Sequence, residues 1–113
     1  MKERDVDLPG AVHPRRVHGR LALPDGTGPF PLAILVHGFT ISCEWGFWPE
    51  LAKRLAATGI ASLRFNASGD GFCADLRTVD AIEAVAVNTY GKELVDLASV
   101  RTFAGGEPDL DSR

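Results

Sequence analysis

Hydrophobic positions fall into a few blocks along the chain, and one block is unbroken: Leu32, Ala33, Ile34, Leu35 and Val36 run together and stop at His37-Gly38. A short apolar run, rich in branched side chains and closed by glycine, is the pattern of a strand buried on both faces. Such strands belong to sheets covered by helices, and ligands bind just past their carboxyl ends. The residues at that edge are His37, Gly38, Phe39 and Thr40. Gly38 has no Cβ, so the backbone can turn sharply there and approach a ligand. Upstream, Val12, Val17, Leu21 and Leu23 alternate with charged positions. That spacing predicts a half-buried antiparallel strand over 11–23, with Gly19 as a candidate bulge. Pro24-Asp25-Gly26-Thr27-Gly28-Pro29 is turn chemistry throughout. The chain is therefore expected to open with a hairpin-like pair whose second member is central.

Beyond the glycine turn the period changes. Pro49 suits the first turn of a helix, where a missing N–H costs nothing, and Glu50 suits the positive end of the dipole. Leu51, Ala52, Leu55 and Ala56 recur at helical spacing until Gly59. A second short apolar run, 60–65, follows at once, so the pattern predicts a βαβ unit with a right-handed crossover. Residues 66–75 form a second glycine-containing loop at the same sheet edge. Residues 76–87 fit a helix better than a strand, although Ala84-Val85-Ala86-Val87 suits either. Residues 88–104 read as a helix with Leu94, Leu97 and Ala98 inward and Glu93 and Asp96 outward. Gly105-Gly106 and Pro108 end it.

Composition narrows the function classes. The 113 residues suffice for one domain, and 45% hydrophobic content suits a packed core. A net charge of −3 argues against a nucleic-acid partner. The cluster of Arg15, Arg16 and Arg20 with His13 and His18 reads as a solvated strand face rather than an anion site. The charged start, Met1-Lys2-Glu3-Arg4-Asp5, lacks the apolar stretch of a signal peptide, and no run approaches the ~18 apolar residues that span a bilayer. Two cysteines, Cys43 and Cys73, make no disulfide framework. A soluble cytoplasmic protein is the expectation, with no membrane partner. His37, Cys43, Glu44 and Cys73 could meet at the sheet edge, but they lack paired ligand spacing. No metal and no cofactor are expected.

A buried strand ending in His37-Gly38-Phe39, an aromatic-rich loop with Trp45, Phe47 and Trp48, a helix, a strand ending Leu63-Arg64-Phe65 and the loop Asn66-Ala67-Ser68-Gly69-Asp70-Gly71 together resemble the opening of an α/β-hydrolase. The second loop is similar to that of esterases and peptidases reading D-x-x-G-x-G-x-S, including cinnamoyl and feruloyl esterases. Here Asn66 replaces the acid and Cys73 the serine. The resemblance implies an α/β fold with a mostly parallel sheet and helices on both faces, as the N-terminal portion of a single domain. It also implies a serine hydrolase acting on a small-molecule ester or amide. In that family the N–H after the HG pair, here the backbone of Phe39, holds the oxyanion of the tetrahedral intermediate. His37 and Gly38 shape that loop, and Thr40 and Trp45 are candidate walls of the substrate pocket.

No serine lies in a G-x-S-x-G elbow, and the last histidine is His37, whereas the family order is nucleophile, acid, histidine. The chain is thus expected to be truncated before the elbow, supplying the oxyanion loop without the catalytic triad and inactive by itself. Two rivals come from the same loop. Gly69-Asp70-Gly71-Phe72-Cys73-Ala74 matches G-x-G-x-x-A, a dinucleotide fingerprint, but three residues separate it from the strand. Gly71-Phe72-Cys73 resembles a dienelactone-hydrolase elbow, with Asp75 where its second glycine belongs. The alternative function is a small non-catalytic α/β binding module, nucleotide-binding through 69–74.

Overall fold

The computed structural model describes residues 1–38, 42–70 and 83–111. Four strands form one sheet: β1 (Lys2–Pro9), β2 (Arg16–Leu23), β3 (Leu32–Val36) and β4 (Ala61–Asn66). Three helices join them, α1 (Trp48–Ala57), α2 (Glu83–Val87) and α3 (Tyr90–Gly105). The spatial order is β1-β2-β4-β3. β1 pairs antiparallel with β2, β2 antiparallel with β4, and β4 parallel with β3. β3, α1 and β4 make the βαβ unit expected from the pattern.

Two expectations need correction. β2 and β3 are not a hairpin pair, because β4 lies between them. All six residues of β4 are buried whereas β3 is half-buried, so the central place goes to the strand that can be covered on both faces. Along its other side β3 has no strand partner among the described residues. Gly19 makes no bulge: it pairs in register with Val6 on one side and Phe65 on the other. A Cβ there would sit 2.6 Å from the Arg64 carbonyl and 2.9 Å from Phe65 Cβ, so the glycine serves close strand approach.

Alternation gives the sheet two unlike faces. Val6, Val17, Leu21, Leu23, Leu63 and Phe65 build the apolar face, closed by Val100 and Ala104 of α3 and by Leu110. Fully burying side chains such as Leu21, Leu63 and Val100 contributes roughly 1.5–3 kcal/mol each. The opposite face carries Asp5, Arg20 and Arg64 side by side in register. Helix α1 packs against β2 and β4, burying Ala52 and Ala56. Pro49 in its first turn and Glu50 beside it stand as the sequence predicts. It ends at Gly59, whose φ of +86° is natural only for glycine.

Helix α3 starts at Thr89, whose side chain accepts the Lys92 N–H at 3.2 Å. Its inward face differs from the one predicted. Asp96 points in and is completely buried, while Leu94 points out at 65% exposure. The segment after α3 returns to the start of β3: Phe30 N–H donates to Asp109 O at 2.9 Å and Asp111 N–H to Phe30 O at 2.8 Å. No helix among the described residues is long and apolar enough to cross a membrane.

Candidate active site at the carboxyl edge of the sheet

Parallel β3 and β4 end at the same edge, and their exit loops are joined there at three points. First, Ala67 N–H donates to His37 Nε2 at 3.2 Å. An amide N–H only donates, so Nε2 carries the lone pair and the neutral ring bears its proton on Nδ1. That Nδ1 lies 2.6 Å from the carbonyl oxygen of Gly38, and the imidazole braces the backbone just past β3. The His37 side chain is 4% exposed, with Asp70 Oδ2 at 3.6 Å from Nε2.

Second, Asn66, the last residue of β4, accepts the Cys43 N–H on Oδ1 at 2.6 Å and reaches the Ser42 hydroxyl with Nδ2 at 3.4 Å. The residue that stands in place of the family's acid therefore holds the loop downstream of the glycine turn. Third, Arg64 reaches Glu44 Oε1 with Nε at 3.0 Å and Nη2 at 2.9 Å. Glu3 pairs with the same Nη2 at 2.8 Å, and Arg20 Nε lies 3.4 Å from Glu44. Arg20 also binds Asp5. The Cys43 thiol sits in this packed corner. Burial, reinforced by the Glu44 carboxylate, pushes its pKa up to about 12. It is a neutral thiol at physiological pH, unsuited to nucleophilic work.

Beside the turn lies an open cavity of about 540 Å³, lined by Val36, His37 and Gly38 on one side and by Asn88, Tyr90 and Glu93 on the other. Glu93 accepts a hydrogen bond from Asn88 Nδ2 at 2.9 Å. A smaller hollow of about 120 Å³ continues from it between Phe65, Leu94 and Leu97. His37 and Gly38 are thus brought to a cavity. Phe39 and Thr40 lie outside the described residues, as do Gly71, Cys73 and Asp75 of the second loop. Trp45 is exposed on the turn before α1 and does not line this cavity. Among the described residues no three His, Cys, Asp or Glu side chains converge as a metal ion needs. Arg64 and Ser68 stand within stretches that carry the resemblance, but the partnerships of Arg64, Glu44, Ser68 and Asp96 leave no local signal, because each finds its partner on a distant element.

Two antiparallel strands leading into a parallel βαβ unit, with a cavity beside the end of β3, match solved esterases over nearly the whole chain. The chain has the fold of the N-terminal portion of an α/β-hydrolase. A cold-adapted esterase from an Arctic intertidal metagenomic library superposes with a TM-score of 0.70 at 25% identity, over 95% of this chain and 46% of that one. Est1E from Butyrivibrio proteoclasticus gives 0.69 at 19% identity, over 95% of this chain and 37% of that one. A highly thermostable carboxyl esterase from Bacillus coagulans gives 0.70 at 15% identity, over 97% and 34%. The α/β-hydrolase likeness is one of structure: no protein-family profile and no curated protein matches the chain by sequence. The chain spans between about a third and a half of the length of these solved hydrolases.

Proposed function

We propose that these residues form the oxyanion-loop portion of a serine hydrolase that cleaves a small-molecule ester or amide. The observation that supports this reading most is the His37-Gly38 pair at the end of β3, held by the Ala67 amide and set beside the cavity. The chemistry has few parts. A serine oxygen attacks the substrate carbonyl carbon and its proton passes to a histidine. Negative charge then collects on the carbonyl oxygen, and the Phe39 N–H, held by the glycine turn, donates to that oxygen. A donor fixed before the charge develops stabilises the transition state more than the substrate. Collapse expels the alcohol or amine and leaves an acyl-enzyme for water to clear. Serine and histidine come from residues outside these 113, since no elbow motif is present and His37 is engaged by the Ala67 amide. Thr40, two residues past Gly38 in sequence, is proposed as a substrate-facing residue.

The nucleotide-binding alternative gains nothing from Gly69. A Cβ there would come within 2.4 Å of the Asn88 side chain, so close packing against the start of α3 accounts for that glycine.

The test is hydrolysis of p-nitrophenyl esters by the 113-residue chain and by the longer gene product that contains it. Turnover and fluorophosphonate labelling are expected in the longer product only. Stoichiometric labelling of a serine within the 113 residues, or an inert longer product, overturns the proposal.

A further inference from the structure

We infer that Asp96 of α3 is a positioning residue for the His37-Gly38 turn, acting through the backbone of Ala67 and Ser68. The inference rests on the reading of that turn as part of a hydrolase site. Asp96 is completely buried, so its carboxylate depends on donors from the protein. It has three. Ala11 N–H donates to Oδ1 at 2.8 Å, and Ser68 donates twice to Oδ2 at 2.8 Å, from its N–H and from its hydroxyl. The Ser68 hydroxyl oxygen accepts in turn from Val12 N–H at 3.0 Å, and Arg15 Nε donates to the Ser68 carbonyl at 2.9 Å. One residue of the loop leaving β4 is thereby gripped from α3 and from the β1–β2 connection together.

The neighbouring amide is the one that reaches the site. Ala67 N–H, one Cα away from the Ser68 N–H, is the donor to His37 Nε2. Little slack separates the two bonds. The turn is closed by Asp70 N–H on the Ala67 carbonyl at 3.2 Å. The flanks are tight as well: a Cβ on Gly10 would lie 2.2 Å from Ser68 Cβ. A shift of Ser68 away from Asp96 therefore carries the Ala67 amide with it. Nε2 then loses its donor, and the Nδ1 proton facing the Gly38 carbonyl is no longer fixed. Asp96 fits the task because both of its oxygens face donors at once. Asparagine would turn an N–H toward one of these donor sets.

The experiment reads the imidazole itself. In protein labelled with ¹⁵N-histidine, His37 is expected to show a protonated Nδ1 and an unprotonated Nε2. Asp96→Asn should move both ¹⁵N shifts toward a tautomer average. Ser68→Ala, which removes only the hydroxyl bridge, should move them less and in the same direction. In the longer hydrolase kcat should fall by about 10- to 100-fold, the scale of a sub-ångström to ångström misplacement, with KM nearly unchanged. Wild-type His37 in the Nε2–H form overturns the inference, as do wild-type shifts in folded Asp96→Asn. Should Asp96→Asn not fold, unchanged shifts in Ser68→Ala overturn it and shifts moved toward the average uphold it. An unreactive longer protein counts against the hydrolase reading alone, because the tautomer is read without turnover.

Discussion

Arg64, in the middle of β4, holds the carboxylate of Glu44 beneath the sheet face that α1 covers, with side-chain exposures of 2% and 5%. Two charges so far from water depend on their partners, and removing Arg64 leaves Glu44 with Arg20 at 3.4 Å and strips Glu3 of its partner. Arg64→Met should therefore destabilise the fold by about 3–5 kcal/mol, a large share of a typical domain's stability. Adding Glu44→Leu to it should recover much of that loss. Urea unfolding of the single and double variants measures both. A single variant within about 1 kcal/mol of wild type, the value of a surface pair, would show that the charges are effectively solvated.

In a protein that carries these residues and the proposed hydrolase activity, Gly38→Val should lower kcat by about 10²-fold, the loss typical of one displaced oxyanion donor. A β-branched side chain restricts the backbone at residue 38, which the proposed mechanism relies on to place the Phe39 N–H. Steady-state kinetics on a p-nitrophenyl ester decides the point, with circular dichroism to confirm folding. An undiminished kcat would make this loop a simple connection.

Among the described residues one side of β3 has no strand partner, and this predicts association. Leu32 to Val36 carry no charge, Val36 is exposed, and Tyr90 and Leu94 stand exposed on the neighbouring helix. Uncovered apolar edges pair with other chains. Sedimentation velocity of the 113-residue chain at micromolar concentration should show oligomers or aggregates. Val36→Lys, which places a charge on the edge, should reduce them. A monomer with a sharp two-state thermal transition would speak for an independently stable module.

Alkaline pH should reveal the Cys43 thiol. Its folded pKa of about 12 lies above the ordinary value of 9.0 because burial disfavours the thiolate. The raised folded pKa sets the sign: the contribution to stability is complete below about pH 9. It is lost as pH rises toward about 12, where the unfolded chain ionises first. Cys43→Ala should flatten this part of the stability–pH curve, and a thiol reagent at neutral pH should label native protein slowly. Fast, stoichiometric labelling without unfolding would show an accessible thiolate.

The elements legible in the sequence were those whose signal is local. β3 announced itself by five apolar residues and a glycine, and α1 by Pro49, Glu50 and Gly59. β1 was read only as a charged start. Its inward signal is little more than Val6 and Leu8, and its acids make sense only against arginines on β2 and β4. Asp5 meets Arg20, and Asp7 meets Arg16. Asp96 was assigned to the solvent side of α3 because aspartate usually belongs there. What reverses it is a set of donors from Ala11 and Ser68, 85 and 28 residues away. The end of β3 at His37-Gly38 is legible in the sequence, but the brace on His37 is not, since the Ala67 amide leaves no trace in residue identity.

The placement of β4 between β2 and β3 has a consequence for how the protein is born. β2 and β3 are consecutive strands, yet in the finished sheet each pairs with β4 and not with the other. β3 must wait for Ala61–Asn66, and at roughly 5–20 residues per second the delay lasts a few seconds. During that interval Leu32 to Val36 is an apolar strand with both edges open. A nascent chain stalled before residue 61 should accordingly be held by a chaperone, and release of β4 should end that contact.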